Sequence, residues 1–321
     1  MKAIQIKQYG GPEVLELAEI DAPIAGAGEA LVDVATAGVN YIDTYHRTGL
    51  YPLGLPLIPG QEGSGVVRKI GDGVTDVAVG DRVAWAGVTG SYTETRVVPA
   101  SRLVRVPEEV SFDLAAAVML QGMTAHYLAH STFPLSPGKR VLIHAAAGGV
   151  GLLFVQLARK LGATVYGTAG TEEKAELARA AGADEVILYQ EKDFVEEVKR
   201  LTGGEGLDAV YDSVGQSTFE KSLECLAPCG TLISFGQSSG PVPPFELRGL
   251  SKGSFYLTRP TLGHYVATRE ALLERAGDLF RWISADDLTV RIDSRFDLAE
   301  AADAHRRLES RASSGKILLA C

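Results

Sequence analysis

The stretch Arg140 to Gly151, RVLIHAAAGGVG, constrains the chain more than any other. A short apolar run breaks into a glycine-rich turn, and the turn opens directly onto GLLFVQLARKLGA, which has the apolar spacing of a helix. A strand, a tight turn and a helix in immediate succession leave the first helical N–H groups aimed at one spot, where a phosphate would be held. The turn reads Ala146-x-Gly148-x-x-Gly151, with alanine in the first position of the usual dinucleotide fingerprint. Context adds weight: a second strand-like run, ATVYGTAG, follows the helix. Glycine turns also join strands to helices without a ligand, so the turn alone leaves both readings open.

The rhythm on either side of the turn differs. From Met1 to about Met119 the pattern is β-rich: KAIQIK, EALVDVATAGV, GSGVVRKIG, DRVAWA and YTETRVV alternate or run apolar between Gly, Pro and Asp turns. This half predicts an irregular, partly open barrel. From about Gly138 strands and helices take turns: RVLIHA, ATVYGTA, EVILY, LDAVYDSV and GTLISFG are separated by helices beginning near Gly149, Thr171, Asp193 and Ser217. Repeated βα units specify a parallel sheet covered on both faces, and GSFYLT would complete a doubly wound sheet of six strands. After Pro260 come two helical stretches, TREALLERAGDLFRWIS and LAEAADAHRRLESR, and a closing strand GKILLA. These can fold back on the first domain, which sets expected boundaries of 1–122 completed by 264–321, and 123–263. The fold class is therefore α/β.

With 321 residues, 46% hydrophobic and 22% charged, the chain is long enough for two domains. A net charge of -9 gives no broad basic field for nucleic acid or an anionic membrane. The N-terminus lacks the apolar core of a signal peptide, and the most apolar stretch is interrupted by glycines, His144 and Gln156, so no membrane span is expected. Cys225, Cys229 and Cys321 form no disulfide framework, which places the chain in a reducing compartment, the cytoplasm by default. No Gly-x-Ser-x-Gly elbow with ordered partners is present, which disfavours a serine hydrolase.

In order along almost the whole chain, the segments YGGPEVLEL, AGVNYIDTYHRTGLYP, PGQEGSGVV, GDRVAW, HAAAGGVG, YDSVG, SFGQSSG and LTRP resemble the zinc-independent medium-chain dehydrogenases/reductases, in particular the quinone oxidoreductase (zeta-crystallin-like) family. The resemblance implies a GroES-like, partly open β-barrel domain plus a doubly wound Rossmann domain with a parallel sheet. Zinc-dependent relatives have a cysteine ligand where this chain has Asn40, and a Gly-His-Glu histidine where it has Gln61. Amide side chains are poor zinc ligands beside thiolate and imidazole, so no metal is expected.

For the cofactor, an NAD site usually places Asp or Glu at the end of its second strand, where a 2′-phosphate would be repelled. Here that strand ends YGTAG, with Ala169 at the position. By resemblance, Lys174 and Tyr189 face the 2′-phosphate, which implies NADPH, although Glu172 and Glu173 dilute the local positive field. The resemblance assigns further cofactor contacts to Gly148, Gly149 and Val150 in the turn, to Gly170 and Thr171, to Ser213, to Phe235, Gly236, Gln237 and Ser238, and to Leu257, Thr258 and Arg259. It adds Thr124, Tyr127 and Arg311, and from the first domain Asn40, Tyr41, Ile42 and Tyr45, with the nicotinamide lying between the domains. Asn40 would hydrogen-bond the nicotinamide ribose or carboxamide. Tyr45 and Tyr51 would line the acceptor pocket, by stacking or by donating to a developing oxyanion; packing alone is an equal alternative for both.

No dedicated acid or base stands out. His46 is expected to be solvated on a loop and His144 to be a satisfied core residue; Asp43 is expected to brace its turn and Glu62 to be a remnant of the zinc site or an ion-pair partner. The implied activity is NADPH-dependent reduction of a small-molecule quinone, by hydride or by one-electron steps, without metal. Reduction of an enone or alkenal double bond is the alternative within enzymes, and an NADPH-binding structural or RNA-binding protein the alternative outside them. The resemblance also implies a homodimer joined at sheet edges, with GSFYLT as the candidate edge.

Overall fold

The change of rhythm near residue 120 separates two units in the computed structural model, which describes residues 1–321: unit 1 is Met1–Met123 with Tyr265–Cys321, and unit 2 is Thr124–His264. In unit 1, β1 (Lys2–Gln5) pairs antiparallel with β2 (Glu16–Glu19). Then β3 (Glu29–Val39) runs straight into helix α1 (Tyr41–Thr48), and β4 (Glu62–Ile70), β5 (Arg82–Ala86), β6 (Thr95–Pro99), β7 (Val104–Arg105) and α2 (Phe112–Tyr127), whose last residues belong to unit 2, follow. The eleven residues of β3 are the spine of the unit: β4 pairs along one edge, and β6 takes the first half of the other. Its apolar alternation buries Val32 and Val34 against Val83, Trp85 and Val98.

Unit 2 contains β8 (Arg140–Ile143), α3 (Gly149–Lys160), β9 (Thr164–Ala169), α4 (Glu172–Ala180), β10 (Glu185–Leu188), α5 (Phe194–Thr202), β11 (Leu207–Asp212), α6 (Phe219–Glu224), β12 (Leu226–Ser234) and β13 (Tyr256–Thr258). The sheet order is β10-β9-β8-β11-β12-β13, every neighbouring pair parallel. The chain leaves β8 toward one edge and resumes at β11 toward the other. The loops after these two strands diverge, and that is where a doubly wound sheet opens a ligand crevice beyond its carboxyl ends.

A short helix α7 (Leu262–Tyr265) precedes α8 (Arg269–Ser284), β14 (Ile292–Asp297), α9 (Ala301–Glu309) and β15 (Lys316–Ala320). The last of these strands completes the second edge of β3, pairing Ile317 with Val39 and Ala320 with Thr36, so unit 1 is finished by the C-terminus. No helix is long and apolar enough to cross a membrane.

Several elements depart from the sequence reading. The sixth strand is shorter than GSFYLT because Ser254 sits at φ 52°, a left-handed backbone that breaks the extended run. Helix α2 has no counterpart in the expected elements: it is rich in alanine and buried nearly all round, so it shows no amphipathic period. Strand β14, IDSRFD, also escaped notice, because half-exposed polar positions leave no apolar alternation to see.

Candidate active site

At the end of β8 the backbone turns through Ala145, held at φ 52°, and Gly148 becomes the N-cap of α3 without any side-chain cap. The first N–H groups of α3 are therefore left to other partners, and Gly148, Gly149 and Val150 are only half-buried. Gly151 lets the helix approach the turn: a Cβ there would lie 2.7 Å from the Ala146 carbonyl oxygen and closer still to that of Ala145. The turn is pinned from the neighbouring strand, with Ala146 N donating to Thr168 O at 3.0 Å and Ala145 N to Thr168 Oγ1 at 3.2 Å. His144 is buried between Thr168 Oγ1 at 3.1 Å and Ser222 Oγ at 3.0 Å, a satisfied core residue.

The corner after β9 gathers the residues expected at a 2′-phosphate. Ala169 is buried, and a Cβ built on Gly170 would lie 3.0 Å from Tyr189 Oη and 3.5 Å from the Gln190 amide nitrogen. The Thr171 side chain accepts from Lys174 N, which starts α4 with the Lys174 side chain on its first turn. The two neighbouring carboxylates are occupied. Glu172 pairs with Arg179 at 2.5 Å, which holds its pKa below the usual carboxylate range, and Glu173 is held down by hydrogen bonding to Thr171. The corner thus offers a phenol and an amide, with the Lys174 ammonium on the first turn of α4 beside Glu173, which stays ionised. Gln190 was not foreseen, since only the return of β10 beside β9 brings it there.

Beyond β11, buried Asp212 organises the next loop, its Oδ1 accepting from Val214 N at 2.7 Å, Gly215 N at 3.0 Å and Thr218 Oγ1 at 2.9 Å. The loop after β12 locks onto it through Ser238 N donating to Ser213 O at 3.2 Å and Phe235 N to Asp212 O at 2.8 Å. Arg259 donates to Ser234 O at 3.2 Å and to Gln237 Oε1 at 3.0 Å, so it braces this edge. Gly148–Val150, Gly170, Tyr189, Ser213, Phe235–Ser238 and Leu257–Arg259 therefore all sit at the carboxyl end of one sheet. Tyr127 and Thr124 are both buried, with 2% of the tyrosine exposed.

In unit 1, Asn40 caps α1, with its N–H donating to Asp43 Oδ2 at 2.8 Å. Tyr41 donates to Leu308 O at 3.2 Å, and Ile42 is half-buried. The Tyr45 and Tyr51 rings meet edge to face, 5.3 Å between centroids, with Tyr51 N donating to Tyr45 O at 3.0 Å. Tyr51 keeps 36% of its surface exposed, so packing alone does not consume it. Arg311 follows α9 at φ 57° and is exposed.

Asn40 is also held through its side chain. Its Nδ2 donates to Glu62 Oε2 at 2.9 Å and Gly38 O at 3.3 Å, and its Oδ1 accepts from Lys316 Nζ at 2.8 Å and Gln121 Nε2 at 3.2 Å. Both donors and both acceptor sites of the amide thus have partners inside unit 1. His46 differs from expectation: it lies on α1 rather than a loop, buried, with Nδ1 3.4 Å from Gln61 Nε2, and burial lowers its pKa.

The donor set does not fit zinc. Asn40 and Gln61 offer amides, Gln61 is engaged with Thr89 Oγ1 at 2.5 Å, and the nearby carboxylates are engaged too, Glu62 with Lys316 and Asp43 with Asn40 N and the Tyr92 hydroxyl. The dinucleotide does fit unit 2: uncapped N–H groups at α3, no carboxylate at Ala169, and polar donors around Gly170.

Residues 149–277 match the zinc-binding dehydrogenase family, and residues 26–108 match the alcohol dehydrogenase GroES-like domain. A quinone oxidoreductase of Pseudomonas aeruginosa is 48% identical over 321 residues, covering 99% of each chain. The crystal structure of Escherichia coli quinone oxidoreductase complexed with NADPH is similar at a TM-score of 0.98 and 43% identity, covering 100% of both chains. A 2-haloacrylate reductase of a Burkholderia species is 42% identical over 327 residues, covering 99% of this chain and 98% of its own.

Proposed function

The chain belongs to the zinc-independent quinone oxidoreductases of the medium-chain dehydrogenase/reductase family, and from that premise we propose that it reduces quinones with electrons from NADPH. The observation that carries the cofactor choice is the corner at Gly170: Ala169 stands where a carboxylate would reject a 2′-phosphate, and Tyr189, Gln190 and Lys174 supply donors in its place. When bound, NADPH supplies hydride, or its electrons singly, to the acceptor.

The protein's own residues do the rest. The N-terminus of α3 holds the pyrophosphate with backbone N–H groups and the positive end of the helix dipole. Ser213, Phe235–Ser238 and Leu257–Arg259 form the wall that orients the rest of the dinucleotide, made rigid by Asp212 and Arg259. Tyr45 and Tyr51 receive the acceptor, one ring stacking while the Tyr51 hydroxyl donates to the oxygen on which charge develops. A quinone that gains hydride becomes a delocalised anion and takes one proton from water to give the hydroquinone, so no dedicated acid is required.

The likeness to a 2-haloacrylate reductase favours a second reading, reduction of an activated carbon–carbon double bond, which uses the same cofactor and needs a proton at the α carbon. Turnover of 1,4-benzoquinone, 9,10-phenanthrenequinone and an alkenal with NADPH separates the two. Quinone turnover is expected; inert quinones with rapid alkenal turnover would sink the first reading.

Two finer points belong to the same proposal. Strand β13 ends the sheet with Tyr256 63% exposed, a free edge suited to pairing with a second copy in a homodimer. The three free cysteines and the negative charge support a cytoplasmic enzyme with no nucleic-acid partner.

A further inference from the structure

Lys316 is 1% exposed, and burying an ammonium without a partner is costly. Its Nζ is ion-paired to Glu62 Oε2 and donates to Asn40 Oδ1 at 2.8 Å. Glu62, 0% exposed, spends Oε1 on the backbone N–H of Leu120 and Oε2 on both Lys316 and the Asn40 amide nitrogen. The three side chains form a closed triangle whose polarity is fixed: lysine only donates and a carboxylate only accepts, so the Asn40 oxygen must face Lys316 and its nitrogen Glu62. The pair packs against Gly38, where a Cβ would lie 2.7 Å from Lys316 Cε and 2.7 Å from the Ala116 carbonyl oxygen. The strand has therefore given up a side chain to seat the pair.

Two residues of the triangle, Asn40 and Glu62, lie in the segments where zinc-dependent relatives hold their metal. A buried cation supplied by the chain itself sits between them. Asn40 is also the N-cap of α1, and α1 carries Tyr45, whose ring and carbonyl oxygen hold Tyr51. Whatever orients Asn40 therefore sets the start of the element that presents both tyrosines.

We propose that Lys316, together with Glu62, is a positioning residue for the acceptor half of the reaction: its buried ammonium clamps the Asn40 amide and so fixes the N-terminus of α1 and the Tyr45–Tyr51 pair. This rests on the assignment of those tyrosines to the acceptor, under the proposed quinone reductase activity. The clamp acts on unit 1, whereas the pyrophosphate and 2′-phosphate contacts that dominate NADPH affinity are assigned to unit 2, so that affinity is expected to change little.

The test compares Lys316→Met with the double variant Glu62→Gln/Lys316→Met in the full-length protein. The single variant strands a buried carboxylate and is expected to lose thermal stability; the double variant buries no charge and is expected to recover most of it. If Lys316 only stabilised the fold, activity would return with stability. As a clamp it is missing from both, so the double variant should stay about tenfold low in kcat/KM for 1,4-benzoquinone while its Kd for NADPH, read by fluorescence titration, stays within about twofold of wild type. Recovery of wild-type kcat/KM in the stable double variant, or a parallel loss of NADPH affinity, would overturn the proposal. Should Lys316→Met fail to fold, the double variant decides alone. A wild-type protein that binds NADPH but turns over no quinone would instead count against the activity, which keeps the two failures apart.

Discussion

In unit 2 the candidate phosphate turn is made of alanine and glycine and offers backbone, the uncapped N–H groups at α3, while the side chains of Tyr189 and Gln190 gather at the Gly170 corner. In unit 1 the chemistry is side chains, and they are buried and ionic. Lys316 pairs with Glu62, and Arg47, 1% exposed, pairs with Glu309 at 2.7 Å. From Arg47 a directed chain runs inward: Arg47 Nη1 donates to His305 Nδ1 at 3.0 Å, which leaves the proton on Nε2 facing Tyr92 Oη at 3.1 Å, and the tyrosine donates to Asp43 Oδ2 at 3.1 Å. Asp43 Oδ1 ends the chain without a partner. A backbone turn tolerates little change in shape, whereas a buried ionic site is weakest to the loss of one charge, because removing one partner strands the other.

That contrast can be broken at several points. The largest effect is expected at Gly151→Val, which drives a side chain into the carbonyls of Ala145 and Ala146. NADPH affinity should fall about a hundredfold by fluorescence titration, and a preserved Kd would remove the close-approach argument. Next, Lys174→Ala with Tyr189→Ala should raise KM for NADPH about tenfold or more while leaving KM for NADH nearly unchanged. Equal changes for the two cofactors would refute the 2′-phosphate assignment. On the acceptor side, Tyr51→Phe should lower kcat/KM for quinone roughly threefold to tenfold and spare NADPH binding; an unchanged rate returns Tyr51 to a packing role.

The smallest effect is a matter of pH. Burial pushes the Asp43 carboxyl up to about 7, with backbone donation from Asn40, the charge of Lys316 and the Tyr92 hydroxyl opposing and Glu62 adding to the rise. Its folded state keeps a proton that the unfolded chain releases near pH 4, so this residue's contribution to stability is present at low pH and lost as pH rises toward 7. His305 is pushed down to about 3 by burial and by Arg47, so its contribution is present above the ordinary histidine range and lost as pH falls toward 3. Between pH 4 and 6.5 the two slopes oppose each other. Asp43→Asn should leave melting temperature rising with pH across that window, whereas His305→Gln should leave it falling. Parallel profiles for both variants would show that the two groups do not titrate as assigned.

The order of these tests follows how each site is built. The glycine turn, the missing carboxylate at Ala169 and the alternating βα rhythm are local patterns, visible within a few residues of each other. Asp43 as a brace and Glu62 as an ion-pair partner were also legible as side-chain types suited to burial only in company. The partner was not. Lys316 opens a strand that shows only as GKILLA, and it meets Asn40 across 276 residues of chain and Glu62 across 254. His46 looked solvated because nothing near it in sequence announces that α1 turns it inward toward Gln61.

By itself the sequence determined the alternating βα pattern of the parallel sheet, a glycine turn able to hold a phosphate and the absence of a carboxylate at Ala169, since each lies in adjacent positions; the assignment of Lys174 and Tyr189 to a 2′-phosphate came from resemblance. The tertiary structure alone decided what Asn40 does. A side-chain amide can serve a ligand or its own fold, and only the return of the C-terminal strand beside β3 brings the buried ammonium that, with Glu62, Gln121 and the Gly38 carbonyl, claims its hydrogen bonds.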